Sequence, residues 1–248
     1  MLDIGTYQFG YSWPITYGHL VPLTVAVVLG VVAMWRRWPR VVLGLAGLVA
    51  LWSIGGLVIS YPLTVPMDLP TTRFLSSGSG RVLDAGAGSG RAAIGVLLAR
   101  PSATAVGMDI YEGYWGIEGN TPERFMLNAR IAGVADRADA RRGDLREMPF
   151  GEGEFDAVIS AYAIDHLGSG GIVKALAEVA RVLKPRGEFL LMIVNADRLT
   201  RVLSPHAIGH HPRQDPARWR ARLDEAGFAL EEEGTKPATL YFLARKRL

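Results

Sequence analysis

The sequence of 248 residues contains no cysteine. A polypeptide without thiols forms no disulfide, iron–sulfur cluster or thiolate zinc site, and it offers no cysteine nucleophile. Lysine is also scarce, since arginine supplies most of the 27 basic residues, and the net charge is only +3. Because these arginines are scattered among acidic residues, the charge pattern does not favour nucleic acid as a partner.

Charge is nearly absent from the first 70 residues. Two runs without a formal charge, Ile15–Trp35 and Val41–Ile59, are separated by a short arginine-rich link. Each run is long enough to cross a hydrocarbon core of about 30 Å as a helix that rises about 1.5 Å per residue. The pattern predicts an antiparallel helical hairpin that spans a membrane or is embedded in it. The charged residues of this part of the sequence are Asp3, Arg36, Arg37, Arg40 and Asp68.

The composition of the two runs agrees with a membrane hairpin. Their glycines suit close contact between helices in lipid, and aromatic residues lie mostly near the ends of the runs, as at a membrane interface. A secretory signal is disfavoured because no lysine or arginine precedes the first run and a second run follows. A buried helical pair in a soluble protein is the other alternative. The aromatic residues are Tyr7, Tyr11, Trp13, Tyr17, Trp35, Trp38, Trp52 and Tyr61.

A proline-rich connector follows the hairpin. Pro62, Pro66 and Pro70 favour an extended exit from the membrane, and the serines and glycines of residues 76–80 favour a flexible break. We therefore predict a membrane hairpin at residues 1–62, a linker at residues 63–80 and a separate domain at residues 81–248.

A glycine-rich loop opens this last domain. It lies between a short buried strand at Val82–Leu83 and a helix at Arg91–Ala99, and it reads Asp84-Ala-Gly-Ala-Gly-Ser-Gly90. The glycines allow a tight turn and a close approach to a ligand, and the helix N-terminus adds donor amides. A dinucleotide motif would need its third glycine at Arg91, and Asp84 would repel a pyrophosphate. The loop therefore suits a cationic ligand.

Two further acidic residues follow predicted strands. Asp109 ends the strand Thr104–Asp109, and its distance of 25 residues from Asp84 suits a contact with ribose hydroxyls. A third strand ends near Gly143 and Asp144. Alternating strands and helices predict a doubly wound, mainly parallel α/β sheet. The remaining predicted elements are helices near Asn120–Ala132 and Ile172–Leu183, and strands at Phe155–Ser160, Glu188–Val194 and Thr239–Ala244.

These features resemble the class I S-adenosylmethionine-dependent methyltransferases, and most nearly the ubiquinone/menaquinone-type and related small-molecule enzymes. The glycine loop, Met148-Pro149-Phe150, Phe155-Asp156 and Arg181-Val-Leu-Lys-Pro carry the resemblance. It implies a Rossmann-like, seven-stranded domain that binds S-adenosylmethionine, with Asp144 accepting from the adenine amino group. The residues implied in cofactor binding are Asp84, Gly86, Ala87, Gly88, Ser89, Gly90, Asp109, Ile110, Gly143, Asp144, Leu145, Ser160 and Ala161.

The segment after the fourth strand contains the first candidates for catalysis, Tyr162, Asp165 and His166. In the resembled family this segment contacts the methionine end of the cofactor and the acceptor. Methyl transfer is an in-line displacement, so the protein mainly aligns the reactants, and a base is needed only if the acceptor loses a proton. His166 is the first choice for that base, with packing beneath the next helix as the alternative. Asp165 would orient the imidazole or cap the helix. The menaquinone-type enzymes have an Arg-Asn pair at these two positions, so a quinone acceptor does not follow from the resemblance.

A second histidine group follows the fifth strand. Ser204 and Pro205 predict a helical turn that places His206 and His210 on one face. This pair could act as a base, cover the substrate, hold a metal or lie in a solvated loop, and we count it among the candidate catalytic residues without predicting a metal site.

The orientation of the hairpin is in conflict with the domain that follows. The positive-inside rule would place the arginine-rich link in the cytoplasm and both termini outside, whereas S-adenosylmethionine is a cytosolic cofactor. Either the hairpin spans against the rule, or it lies in one leaflet without crossing. In both cases we expect a cell-membrane protein whose catalytic domain faces the cytoplasm.

The sequence thus predicts a membrane-anchored methyltransferase with a lipophilic or small-molecule acceptor. Its expected partners are the lipid bilayer and that acceptor, and the oligomeric state is left open. The alternative is a membrane-bound scaffold or sensor that binds S-adenosylmethionine without catalysis. A nicotinamide oxidoreductase is disfavoured by the position of the third glycine.

Overall fold

The computed structural model describes residues 6–112, 118–205 and 214–248. Its strands form one seven-stranded sheet in the order β3-β2-β1-β4-β5-β7-β6, in which only β7 runs antiparallel to its neighbours. The predicted doubly wound, mainly parallel sheet is confirmed. The strands are β1 (Ser79–Ala85), β2 (Ser102–Asp109), β3 (Ala138–Arg142), β4 (Phe155–Ala161), β5 (Leu183–Val194), β6 (Phe228–Lys236) and β7 (Thr239–Lys246).

Helices cover both faces of this sheet, and further helices precede its first strand in the sequence. Phe125 and Leu97 are buried on one face, and Trp219, Phe155 and Phe189 are buried on the other. This double cover explains the near-continuous apolar strands, which bury both of their faces. The helices are α1 (Trp13–Tyr17), α2 (Leu20–Trp35), α3 (Arg40–Ser60), α4 (Arg91–Ala99), α5 (Pro122–Ile131), α6 (Ser169–Val182), α7 (Arg198–Leu203) and α8 (Pro216–Glu225).

The order of the strands positions the site. The carboxyl ends of β1, β2, β4 and β5 meet at one edge of the sheet, and the direction of the crossovers reverses between β1 and β4. Open α/β sheets bind ligands in the crevice outside such a switch point. The glycine loop and the segment after β4 both lie at this edge.

The first helix of the hairpin differs from the prediction. The expected helix Ile15–Trp35 is interrupted at Gly18 and His19, so that α1 and α2 are separate. The physical reason is Pro22, which has no amide hydrogen and is tolerated only in the first turn of a helix. The second helix agrees closely with its predicted bounds, and with the 3-10 turn that follows, it forms a segment, Arg40–Thr64, long and apolar enough to cross a membrane.

The connector is packed against the domain, contrary to the extended exit predicted from its prolines. The Met67 amide donates to the carbonyl oxygen of Arg91 (3.0 Å), and the Met67 carbonyl lies so close to Gly95 that a β-carbon there would overlap it. Phe74 is fully buried. The expected flexible break is also incorrect at its end, because β1 already begins at Ser79.

Strand β5 begins at Leu183, five residues before its predicted start at Glu188. Residues 184–187 form an irregularity in the pairing of β4 with β5, in which Arg186 has a φ of 63°. The effect is local, since the pairing resumes at Glu188.

Candidate cofactor and active site

The glycine loop is held in a conformation that only glycine adopts easily. Gly86, Gly88 and Gly90 have φ values of 87°, 54° and 90°, in the left-handed region that disfavours residues with a β-carbon. The amides of Gly86 and Ala87 both donate to the Met108 carbonyl, at 2.8 and 2.9 Å. These bonds fix the loop to the end of β2.

Two of these glycines also leave no space for a side chain. A β-carbon at Gly86 would overlap the side chain of Ala163, and one at Gly90 would meet the Phe125 ring at 2.7 Å. The loop is therefore specified by packing as well as by backbone conformation, and Ser89 lies within it as a buried residue whose hydroxyl has no hydrogen-bond partner among the described residues.

Asp84 ends β1 as a completely buried carboxylate. Its Oδ2 accepts from the Ala93 amide in the first turn of α4 (2.8 Å), whereas its Oδ1 has no hydrogen-bond partner within the described part of the protein. Burial raises the pKa of Asp84 to about 7, and the nearby charge of Asp109 adds to this rise. An unpaired buried acid of this kind is stabilised by a cationic ligand, which fits the charge of S-adenosylmethionine.

Replacement of Asp84 by asparagine should remove a pH dependence of stability. The pKa is about 7 in the folded protein and 3.8 in the unfolded reference, so the contribution of Asp84 is fully present below the lower value and is lost as the pH rises through the higher one. At about 1.4 kcal/mol per pKa unit, the ligand-free wild type should lose a few kcal/mol relative to Asp84→Asn as the pH rises from about 4 to about 7. Urea unfolding of both proteins across this range measures the difference, and parallel curves would contradict a buried, titrating Asp84.

Asp109 ends β2 and organises the opposite side of the crevice. Its Oδ2 accepts from the Gly88 amide (2.9 Å), and its Oδ1 accepts from the Tyr111 amide (2.9 Å) and the Asn120 side chain (3.3 Å). A carboxylate has about four lone-pair positions, so it retains capacity for a ribose hydroxyl. The hydroxyl of Tyr111 and the Oδ1 of Asn120 are buried without partners among the described residues. This polar lining fits a ligand that carries several hydroxyl and amino groups.

Four further residues predicted to bind the cofactor, Ile110, Gly143, Asp144 and Leu145, lie beyond Asp109. Gly143 donates its amide to the Asp109 carbonyl (3.0 Å), Ile110 is 38% exposed, and Leu145 is half-buried. Asp144 accepts from the Arg146 side chain through both oxygens, which lowers its pKa. Any hydrogen bond from adenine to Asp144 would thus be made in addition to this ion pair.

Ser160 and Ala161 end β4 beneath the glycine loop. The Ser160 hydroxyl donates to the Ala85 carbonyl (2.8 Å) and is fully buried, so this side chain ties β4 to β1. Ala161 precedes Tyr162, whose φ of 58° is unusual for a residue with a side chain. Such backbone strain is typical of functional sites.

Asp165 and His166 form a pair at the same edge. The His166 Nδ1 lies 3.3 Å from the Asp165 Oδ1, and the Asp165 side chain is only 2% exposed. The other oxygen of Asp165 accepts from the Val194 amide at the end of β5 (2.9 Å). The Asp165 carboxylate beside the imidazole raises the pKa of His166. A histidine oriented in this way by a buried carboxylate is suited to accept a proton.

Tyr162 is arranged differently from this pair. Its hydroxyl hydrogen-bonds with the Thr239 hydroxyl, and burial raises its pKa. Tyr162 therefore stays neutral and suits contact with a ligand better than proton removal. The other two predicted candidates, His206 and His210, lie outside the described residues.

The structure adds a buried arginine that the sequence pattern did not single out. Arg91 is 8% exposed, donates to the Pro62 carbonyl (2.8 Å) and lies over the Tyr162 ring at 6.0 Å. Its Nε has no hydrogen-bond partner in the described part of the protein. The only sign of this role in the sequence is the position of Arg91 directly after Gly90, the last glycine of the loop.

A second addition is the segment Tyr7–Tyr11, which lies on the glycine loop. The Gln8 backbone exchanges hydrogen bonds with the Asn128 side chain (2.7 and 3.0 Å), and Asn128 also donates to the Ser89 carbonyl (2.9 Å). Phe9 is buried in the same cluster. The predicted interfacial positions of Tyr7 and Tyr11 are thus incorrect, because both residues pack against this part of the core.

Comparisons with known proteins agree with this site. A family model described as a methyltransferase domain matches residues 82–187, the part that contains the glycine loop, Asp109, Asp144 and the Asp165–His166 pair. The protein is an S-adenosylmethionine-dependent methyltransferase.

Relatives and solved structures show the same similarity. It is 29% identical to an uncharacterized methyltransferase of Synechocystis, over 66% of this sequence and 73% of the relative. It is 33% identical to a ubiquinone/menaquinone biosynthesis C-methyltransferase of Citrifermentans bemidjiense, over 47% of this sequence and 46% of that enzyme. An S-adenosylmethionine-dependent methyltransferase from Methanosarcina mazei, 18% identical, has the same fold, with a TM-score of 0.57 over 73% of this protein and 100% of the other.

Proposed function

We propose that this methyltransferase is anchored in the cell membrane and methylates a lipophilic small molecule. The apolar surface of the hairpin carries the proposal. In α2 and α3 the outward side chains are almost all aliphatic and lie uncovered, whereas soluble monomers rarely expose large contiguous apolar patches. The exposed residues include Val21, Val25, Val28, Val31, Met34, Val41, Leu45, Leu48, Leu51, Ile54 and Val58.

The chemistry needs little from the protein beyond alignment and a proton acceptor. S-adenosylmethionine supplies a methyl group on a positively charged sulfur. Asp84, Asp109 and the glycine loop would hold that cofactor at the ends of β1 and β2. The Asp165–His166 pair, at the ends of β4 and β5, would take the proton from an acceptor hydroxyl or acidic carbon.

Two observations support the proposed class of acceptor. The enzyme resembles ubiquinone/menaquinone C-methyltransferases over about half of their length, which supports an apolar acceptor. The Asp165–His166 pair suits an acceptor that must lose a proton, such as a phenol. We further propose that the domain faces the cytoplasm, and digestion of the C-terminal domain by protease added to right-side-out vesicles would contradict that placement.

Turnover by the full-length protein tests this function. In phosphatidylcholine vesicles, with cofactor tritiated in its methyl group and an organic extract of membranes as acceptor source, label should pass into the organic phase. The Asp109→Ala variant serves as the matched negative control. Label confined to water-soluble products would contradict a lipophilic acceptor. Cofactor binding without transfer to any extract would favour the scaffold or sensor.

A further inference from the structure

Helix α7 is docked on the side of α3. The Trp52 Nε1 donates to the Val202 carbonyl at 2.6 Å, and the Leu203 side chain packs where a β-carbon of Gly55 would lie. Gly55 therefore permits a close approach of the two helices. The catalytic domain is thus fastened along the apolar helix and not only through the connector at its end.

The level of this contact along α3 is set by helix geometry. Trp52 and Gly55 lie 12 and 15 residues after Arg40, which corresponds to ~18 and ~22 Å along the helix. With the arginine-rich link at the far headgroups of a hydrocarbon layer ~30 Å thick, the contact lies ~8–12 Å inside the near boundary. A helix docked at this level of a spanning α3 meets lipid and not bulk water.

The outer surface of α7 is mostly apolar, and it also exposes Arg198 at its first position, a residue type whose long side chain can extend to the headgroups. Leu199 and Val202 are 65% and 63% exposed, and they stand three residues apart on one face. Thr200, on the inner side, is buried. The side chain of Asp197 caps the first turn by accepting from the Thr200 amide (2.9 Å), so the helix end is satisfied within the protein. Trp52 itself is of the residue type enriched at membrane interfaces.

We propose that α7 lies among the acyl chains of the near leaflet, as a lid whose outer face contacts lipid. The proposal rests on the membrane anchorage proposed above. Because α7 follows β5 at the edge that holds Asp165 and His166, the mouth of the active site then opens towards the bilayer. The methyl acceptor is a molecule dissolved in the membrane, which reaches the site without passing through water.

The absence of cysteine makes a direct test possible, because every introduced thiol is unique. Single variants Leu199→Cys and Val202→Cys of the full-length protein are labelled with an environment-sensitive fluorophore. Both side chains point away from α3, so the labels leave the Trp52 contact intact. Val25→Cys, exposed on α2, reports anchorage, and Val173→Cys, equally exposed on α6, is the matched control on the catalytic domain.

The vesicles consist of phosphatidylcholine and phosphatidylglycerol. They carry a spin-label quencher on the acyl chain, either near the headgroup or near the terminal methyl group. Labels at residues 199, 202 and 25 should all be quenched by spin labels on the acyl chains, and the label at residue 173 should be quenched by neither position. If residues 199 and 202 behave like residue 173 while residue 25 is quenched, the lid proposal is wrong and the anchorage stands. If residue 25 also escapes quenching, the anchorage itself is wrong.

Discussion

The Asp109→Ala variant should bind S-adenosylmethionine about 10- to 150-fold more weakly than the wild type. Its carboxylate retains capacity to accept from one ribose hydroxyl, and a hydrogen bond to a charged group contributes about 1.5–3 kcal/mol, where about 1.4 kcal/mol is tenfold in affinity. The variant also releases the amides of Gly88 and Tyr111, which loosens the glycine loop. Titration calorimetry measures the change in affinity.

The control for this prediction is another aspartate of the same sheet. Asp139 in β3 is exposed, and its carboxylate bonds only its neighbours Ala140 and Arg141. We expect Asp139→Ala to bind the cofactor like the wild type. Unfolding of both variants by urea separates loss of affinity from loss of structure. An Asp109→Ala protein that is folded and binds with wild-type affinity would remove Asp109 from the site.

The cofactor half of the fold could be predicted from the sequence because its signals are local. Gly86, Gly88 and Gly90 are required by the local backbone conformation. They therefore indicate the turn independently of the rest of the fold. Thr121 and Pro122 are the sequence signal for the start of α5, and the Thr121 hydroxyl accepts from the Arg124 amide as a cap should. The acids at strand ends converge because parallel strands share their carboxyl edge.

Contacts between distant parts of the sequence could not be predicted. The pairing of Gln8 with Asn128 spans 120 residues, and the contact of Trp52 with Val202 spans 150; neither leaves a periodic pattern in the sequence. Tyr7 and Tyr11 were therefore assigned to a membrane interface by composition, although they pack against the core cluster that includes Ala87 of the glycine loop. The break before α2 is different, because it could have been predicted from Pro22.

The directions and partners of individual side chains could not be predicted from the sequence either. A sequence pattern places Ser160 and Asp144 at strand ends, but it does not show that Ser160 bonds the Ala85 carbonyl or that Asp144 is paired with Arg146. The partnership of Asp165 with His166 was predictable as adjacency, but its geometry depends on the Val194 amide at the end of β5, which fixes the carboxylate.

That pair carries the second large expected effect. His166→Gln should lower kcat by about 100- to 10,000-fold, the range of a lost general base, with little change in cofactor affinity. Asp165→Asn keeps an oxygen for the Val194 amide but removes the charge that raises the pKa of His166. Because only the neutral imidazole accepts a proton, activity rises with pH through that pKa. In Asp165→Asn the activity should therefore begin to rise at a lower pH, and the maximal activity reached at high pH should be smaller.

A shift in the pH at which activity rises distinguishes a histidine that acts as a base from a histidine that only packs. A packing role predicts a less stable protein whose pH profile keeps its position, whereas a base held by Asp165 predicts a displaced profile in a protein of near-normal stability. Asp136→Asn, an exposed change far from the pair, should keep the wild-type profile. Steady-state kinetics across the pH range, with the acceptor identified in the vesicle assay, decides between the two. An unchanged kcat in His166→Gln would mean that the acceptor loses no proton to the protein, and the chemistry would then rest on alignment by Asp84, Asp109 and the glycine loop alone.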